Sequence, residues 1–448
     1  MASNRHPLFQ QTPWTNHGVV AGVTNSHSGL GGDSHVPHST ENQLILPIAK
    51  TRIRGHAMRQ PREITCFSLD NKRDIHLDES SLSYFYLRAE DLTAAGGPGG
   101  GGVSLSTGFE QFQKRDDNID EHLDGLLLAL VDTERKDPKR RKTTGDIVTW
   151  RGMLTKLLCL PYSKNDGFEM NAMAFDGQLF IEENLPYKVA TQRKQDQRGQ
   201  MMTYWGYKFE QIATIPHQWS ECTREEIETR TSRPVNNNAQ YCSVVKTGLG
   251  DVRLIIAGEV DCVYDYKPQK FTMEGEVVGE DDDPFDNPLD HYVELKTNKV
   301  IQSDRDAMAF ENKLFKVWAQ SFLLGVPRVI VGFRTEQGYL QTFETFQTHK
   351  IPSTVKKSKF ANSYTTWDGV DALAFLAACL QWLKTNILAP AQAAQKAAGN
   401  EEEDITKAVV WRIRYLPRSD YLILSRTELP SFLHPDFVEW RRERRTQR

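Results

Sequence analysis

The sequence predicts an α/β protein, and three observations carry that reading. Short runs alternate β-branched and aromatic residues with polar ones, most clearly from Val252 to Tyr264 and around Val293 and Leu295. An amphipathic helix is capped by Ser303 with Asp306 three residues on. It runs through Phe310, Leu314, Phe315, Trp318 and Phe322 and stops at Gly325 and Pro327. Arg328 to Arg334 then reads as a strand, so the two kinds of element interleave. The 448 residues, 39% hydrophobic and 25% charged, are ordinary globular usage and suffice for one large domain or two smaller ones.

Taken in order, residues 1–44 are rich in Ser, His, Gly and Asn, lack an apolar run, and are expected to form a disordered tail. Order is expected to begin with Leu44-Ile45-Leu46-Pro47-Ile48 and to extend through 45–440 as a single catalytic domain. Pro61 to Ser68 and Leu82 to Leu87 read as strands. The Gly96 to Gly102 run lacks the lysine of a phosphate-binding P-loop and reads as a flexible loop, as do stretches near 94–104, 135–145, 272–290 and 389–404. After Thr149-Trp150, Leu154, Leu157 and Leu158 mark an amphipathic helix that ends at Pro161. Arg151 opens it, where a guanidinium and free backbone N–H groups can receive an anion. Taken alone, such an arginine is more often a surface ion pair.

Met202 to Glu210 alternates strictly, with Trp205, Tyr207 and Phe209 on one face and Lys208 and Glu210 on the other, so Glu210 is a further candidate metal ligand. The acidic 272–290 insertion reads as a loop with solvated acids. A helix from about Val370 to Leu388 is expected to give way to an Ala/Gln linker and the acidic 401–404 run, then to further strand-like segments and a basic tail at 441–448.

A net charge of −4 excludes a general nucleic-acid-binding coat, so any contact with RNA or DNA must rest on local basic patches or metal-bridged phosphates. Six cysteines without Cys-x-x-Cys spacing read as reduced, buried thiols of an intracellular protein, with no zinc site. No run approaches the roughly 20 apolar residues of a membrane span, and no membrane association is expected. Lys139-Arg140-Arg141-Lys142 and the terminal Arg441 to Arg445 run suit nuclear import or RNA-backbone contact, although such runs are more often simply solvated charge.

The chemistry concentrates in Gly258-Glu259-Val260-Asp261-Cys262 and Glu294-Leu295-Lys296-Thr297. On a strand, residues i and i+2 share a face, which pairs Glu259 with Asp261 and Glu294 with Lys296 while the apolar parity packs elsewhere. Three carboxylates and a lysine are what divalent-metal phosphate hydrolysis requires. Hard oxygen ligands suit Mg²⁺ or Mn²⁺, and a lysine supplies positive charge to the transition state. The same short patterns at Glu280/Asp282, Glu402/Asp404, Glu134/Lys136 and Glu311/Lys313 lie in loops, helix faces or charge runs, so context carries the signal. The twelve histidines are scattered and read as structural or solvent-facing.

Five motifs in one order, Trp150-Arg151-Gly152, Gly206 to Glu210, Glu259-Val260-Asp261, Glu294-Leu295-Lys296 and Trp318 to Phe322, resemble the DXO-type family of RNA 5′-end-processing and decapping nucleases. Pro61 to Ile64 and Asp78 to Leu82 are similar as well. More narrowly, the chain resembles the fungal nuclear subfamily that partners the nuclear 5′→3′ exoribonuclease. The resemblance implies an α+β fold of two packed mixed sheets flanked by helices, related to the Asp…Glu-x-Lys nuclease core. It implies that Glu210, Asp261, Glu294 and the Leu295 carbonyl hold Mg²⁺ or Mn²⁺, with Glu259 on the metal or its water. Lys296 then positions the nucleophilic water, and Arg151 and Gln320 contact the RNA 5′ phosphates.

The implied activity is hydrolysis at 5′-triphosphate, unmethylated-cap or NAD-capped RNA ends, leaving a 5′-monophosphate for 5′→3′ decay, as a step of mRNA quality control in the nucleus. Some members of the family also have 5′→3′ exonuclease activity. Two rivals stay open: a DNA nuclease with the same metal core, and a non-catalytic stabilising subunit of the exoribonuclease whose acids merely pair with Lys208, Lys296 and Arg151.

Overall fold

The computed structural model describes residues 43–48, 57–93, 102–268, 287–361, 366–398 and 404–446. Nearly all of the expected N-terminal tail, most of the Gly-rich loop, the greater part of the acidic insertion and the acidic 401–403 stretch lie outside them.

The chain builds two mixed sheets. In spatial order the larger contains Gln43–Pro47, Tyr421–Arg426, Val410–Tyr415, Phe168–Phe175, Gln178–Glu183, Ile147–Trp150, Val252–Glu259, Gln240–Leu249, Arg62–Leu69 and Ile75–His76. The smaller contains Leu340–Gln347, Arg328–Arg334, Tyr292–Lys299, Cys262–Val263, Tyr84–Phe85 and Thr214–Ile215. Ile147–Trp150 lies parallel to both of its neighbours, and Tyr292–Lys299 is parallel to Arg328–Arg334, whereas most other pairs are antiparallel.

Strand alternation sorts the core into layers. Leu254 and Ile256 join a central layer with the helices Arg151–Cys159, Asp304–Leu324 and Gly369–Leu383. Ile255 and Ala257 face the other way, under Asp124–Lys136 and Pro435–Thr446. On the smaller sheet Tyr292 points to the central layer, and Val293 and Leu295 point out beneath the helix Gln197–Ile212. Two packed mixed sheets flanked by helices are what the resemblance implied.

Ser303 caps Asp304–Leu324 as expected: its hydroxyl accepts the Asp306 N–H at 3.2 Å, and the Asp306 carboxylate takes the Gln302 N–H at 3.2 Å. Gly325 closes the helix at φ 84°, a left-handed backbone that favours glycine, and a Cβ there would lie 3.0 Å from Leu289 and Pro61.

The structure departs from the sequence reading in several places. Glu259 and Asp261 do not share one strand: Val252–Glu259 ends in the larger sheet, Cys262–Val263 belongs to the smaller, and the chain crosses between them at Val260 and Asp261. Leu82 to Leu87 contributes only the two-residue strand Tyr84–Phe85. Met202 to Glu210 lies in a helix, capped by Asp196, whose carboxylate accepts the Gly199 N–H at 2.7 Å. Its buried residues Tyr204, Trp205, Lys208, Phe209 and Ile212 follow the helical period, which the alternation of three aromatics over five residues imitates.

The segment read as an Ala/Gln linker is helical through Ala398. Together Gly369–Ala398 is long and apolar enough to cross a membrane by composition. Phe375, Leu376, Leu380 and Leu383 bury it in the central layer, which identifies it as a core helix. The basic 441–448 stretch is not a solvated tail through Thr446. Arg441 is fully buried on the last helix and donates to Glu134 at 2.7 Å and Asp176 at 2.9 Å.

Candidate active site

The crossing at Val260 and Asp261 sets the site at the junction of the two sheets. Antiparallel pairing of Cys262 with Val293 brings Asp261 beside Glu294, and the Asp261 carboxylate accepts the Leu295 N–H at 2.6 Å. Glu294 and Lys296 share one face of their strand, and the Lys296 ammonium bridges the acids, 2.6 Å from Glu294 and 3.7 Å from Asp261. It also donates to the Leu295 carbonyl at 3.0 Å, so that oxygen faces the cluster.

Arg151, first residue of the helix packed on the larger sheet, reaches Glu294 at 3.1 Å with 12% of its side chain exposed. It is therefore neither a surface ion pair nor free of the acids. Gly258 permits this approach, since a Cβ there would lie 3.2 Å from the Arg151 Cβ and 3.0 Å from Leu324. Glu259 ends its strand half-buried, with the Gln240 side chain hydrogen-bonded to it. Gln240 is oriented in turn by Arg73, which donates to its carbonyl oxygen while gripping Glu121 at 2.7 Å.

The electrostatics divide the acids into two kinds. Burial works against the charged form of Glu294, but Lys296 and Arg151 outweigh it and hold the carboxyl at about 2. Asp261 is pushed up to about 7 by burial and by Glu294 and Glu259, in spite of Lys296. Glu210 is raised well above the carboxylate range by burial and by Asp261, which places this helix residue in the field of the cluster. Glu259 is also raised by burial, against the pull of Arg151. Lys296 stays protonated: burial opposes its charge, but Glu294, Asp261 and Glu210 prevail.

Four acids thus face two cations. Burial and mutual repulsion push Asp261, Glu210 and Glu259 toward their protonated forms, in a hard-oxygen donor set joined by an inward-facing carbonyl. That donor set fits a divalent cation.

The structure brings together Arg151, Glu210, Glu259, Asp261, Glu294, Leu295 and Lys296. Gln320 is half-buried on Asp304–Leu324, one turn before the Leu324 that packs at Gly258, and no hydrogen bond among the described residues holds its side chain. Lys208 does not join the acids. It is fully buried, donates to Gln211 at 2.9 Å and to the Arg233 carbonyl at 3.4 Å, and burial alone lowers it to about 8. On a helix, residues 208 and 210 diverge by about 200°, so the shared face that a strand would give them disappears. Gln240 and Arg73, which orient Glu259, carried no signal in the sequence.

A different trio, Asp120, His122 and Glu182, holds its donor atoms within 4.8 Å of one another. It behaves as an ion pair. His122 lies 2.8 Å from Glu182, and that hydrogen bond raises the imidazole to about 9, so at neutral pH the ring is protonated and a metal would have to displace that proton.

Comparison with known proteins agrees with this geometry. Residues 59–438 match the model of the RAI1 like PD-(D/E)XK nuclease family. Within that span Asp261 and then Glu294-Leu295-Lys296 have the residue order that the family's name describes. The chain is 42% identical over 410 residues to the Decapping nuclease RAI1 of Aspergillus fumigatus, covering 89% of this chain and 97% of that one. It is 40% identical over 405 residues to the protein of that name from Neurospora crassa, covering 89% and 86%.

Among solved structures, Candida albicans Rai1 in complex with pU5-Mn2+ superposes with a TM-score of 0.76 at 32% identity, covering 90% of this chain and 99% of that one. Scheffersomyces stipitis Rai1 in complex with (3'-NADP)+ and calcium ion gives a TM-score of 0.73 at 30% identity, covering 89% and 100%. The resemblance read from five ordered motifs is thereby borne out, with the two-sheet fold it implied. The chain belongs to the RAI1 like PD-(D/E)XK nuclease family.

Proposed function

We propose that this protein is a divalent-metal-dependent hydrolase of RNA 5′ ends, a decapping nuclease that leaves a 5′-monophosphate. The observation that carries the proposal is the junction of the sheets, where Glu210, Glu259, Asp261 and Glu294 converge around Lys296 and Arg151. The curated relatives named decapping nucleases and the pU5-Mn2+ complex of the Candida protein support the RNA 5′ end as substrate. The (3'-NADP)+ complex of the Scheffersomyces protein supports NAD-capped RNA among the substrates. Action in the nucleus beside a 5′→3′ exoribonuclease, as part of mRNA quality control, belongs to the same proposal and rests on the family resemblance alone.

Glu210, Asp261, Glu294 and the Leu295 carbonyl would hold Mg²⁺ or Mn²⁺, with Glu259 on the metal or its water. Bound there, such ions lower the pKa of water and offset charge on phosphate oxygens. The chain's own groups do the rest. Lys296 is held protonated by the acids around it, so it cannot be the base; it orients the attacking water and offsets charge that develops at phosphorus. Arg151 is anchored through one N–H to Glu294, and the remaining donors of its planar fork, together with the Gln320 amide, would take the 5′ phosphates.

Water oxygen bonds to the α-phosphorus, the bond from that phosphorus to the bridging oxygen breaks, and pyrophosphate or an intact cap nucleotide departs. With 5′-triphosphate RNA the expected products are pyrophosphate and monophosphorylated RNA. Stepwise release of orthophosphate would instead indicate a triphosphatase and overturn the mechanism. Running the same assay on unmethylated-cap, methylated-cap and NAD-capped RNA ranks the substrates.

A further inference from the structure

The helix Asp304–Leu324 carries a polar stripe that runs away from the site. Leu324 packs at Gly258 beside Arg151, Gln320 lies one turn earlier, and Lys316 and Lys313 continue the same face at i−4 and i−7. From Gln320 to Lys313 the helix rises about 10.5 Å. The strand Tyr292–Lys299 runs the opposite way beneath it, putting Glu294, Lys296 and Asn298 in turn on one face. The two elements meet where the Lys313 ammonium donates to the Thr297 carbonyl at 2.6 Å and lies 3.4 Å from the Asn298 side-chain oxygen.

Both lysines are exposed, and among the described residues neither has a carboxylate partner. Although Lys313 as a residue is exposed, its ammonium is tucked against the strand. That desolvation, with Arg334 and Lys296 nearby, lowers it to about 8, still protonated at neutral pH. Lys316 lies close enough to Cys159, on the helix that Arg151 opens, to act on its thiol. An ordinary solvated lysine face acquires acidic neighbours, as Lys299 does with Asp306 and Glu336 at 3.2 and 3.0 Å. In this stripe Lys313 is held by neutral oxygens alone, which an incoming phosphate can replace without breaking an ion pair.

We propose that Lys313 and Lys316 bind the phosphodiester backbone of single-stranded RNA downstream of its 5′-terminal nucleotide, so that this face of the helix guides the body of the substrate away from the site. The proposal rests on the RNA 5′-end activity proposed above and assigns to the two lysines an unpaired strand several nucleotides long. Flexible ammonium groups suit a backbone read by charge and not by sequence.

The test compares wild type, Lys313→Ala/Lys316→Ala and Lys313→Arg on a 5′-triphosphate dinucleotide and on a 5′-triphosphate single strand of about 20 nucleotides. The double variant is expected to raise KM for the long RNA roughly tenfold more than for the dinucleotide, and Lys313→Arg to stay near wild type on both. Binding of a 5′-monophosphate strand of the same length, followed against salt, is expected to lose about 0.7 from its log–log slope per lysine removed. Equal losses on the two lengths would assign the lysines to the 5′ end, and an unchanged salt slope would remove them from the RNA path; either result overturns the proposal. If wild type hydrolyses neither RNA, the activity proposed above fails, and the salt slope by itself decides whether the two lysines bind RNA.

Discussion

Asp261 and Glu294 stand side by side, yet their surroundings predispose them to opposite fates on substitution. Burial and, after it, the acidic neighbours push Asp261 up to about 7, whereas Lys296 and Arg151 hold Glu294 at about 2 against its burial. Asp261→Ala relieves repulsion. It should abolish hydrolysis of 5′-triphosphate RNA while leaving the melting temperature at or above that of wild type. Glu294→Ala should also abolish hydrolysis, but it strands two cations whose counter-charge it supplied, Arg151 with 12% and Lys296 with 27% of its side chain exposed. Breaking a buried pair from one side costs about 3–5 kcal/mol, and the partial exposure of Lys296 places the expected loss at the lower end of that range. Denaturant midpoints of the two variants check the contrast. Equal stability would mean that the two carboxylates are not divided as described.

The helix Gln197–Ile212 shows how much of the structure was legible along the chain and where legibility ended. The helices at Arg151 and Asp304 could be read because their apolar residues recur every three or four positions between recognisable stops. Glu294 and Lys296 could be placed together because β alternation is unambiguous around Val293 and Leu295. The helix that supplies Glu210 was hidden because Trp205, Tyr207 and Phe209 satisfy a period of two, although only Trp205 and Phe209 are buried. The crossing at Val260 was hidden because apolar parity continues unbroken from Leu254 to Cys262 while the hydrogen-bonding partners change sheet. Arg441 was hidden for a different reason. Its partners Glu134 and Asp176 are far away in sequence, and local composition gives no sign of them.

Lys208 offers a test at the same scale. Burial lowers it from about 10.4 in the unfolded chain to about 8, so between these values the unfolded state binds more protons and stability rises with pH; below pH 8 the full penalty is present. Lys208→Met, of similar length, should therefore raise stability at pH 7 by on the order of 1–3 kcal/mol, after discounting the lost bonds to Gln211 and Arg233. It should also flatten the pH dependence of unfolding between 8 and 10. A loss of stability at pH 7 would show that those hydrogen bonds outweigh the burial of the charge.

Across the whole molecule the site is also a seam. Glu259 belongs to the larger sheet, Glu294 to the smaller, Asp261 to the crossing between them, and Glu210 to the helix on the outer face of the smaller sheet. Acids from three layers converge in a buried space, where burial and mutual repulsion raise Glu210, Glu259 and Asp261 toward the protonated form, a cost that unfolding would release. A divalent cation bound by these acids would turn that repulsion into a link across the seam, and binding to the folded state alone stabilises it by mass action. Adding Mn²⁺ at about a hundred times its dissociation constant should stabilise wild type by about 2.7 kcal/mol, read as a rise in melting temperature that excess EDTA reverses. Asp261→Ala should lose most of that rise, because it removes a ligand at the crossing itself, whereas Lys208→Met, outside the cluster, should keep it. The same EDTA should stop RNA hydrolysis. A melting temperature indifferent to Mn²⁺ together with no hydrolysis would mean that the converging acids serve only to pair with Arg151 and Lys296, and the hydrolytic reading would give way to that of a non-catalytic subunit; hydrolysis that survives the chelator would instead overturn its dependence on metal.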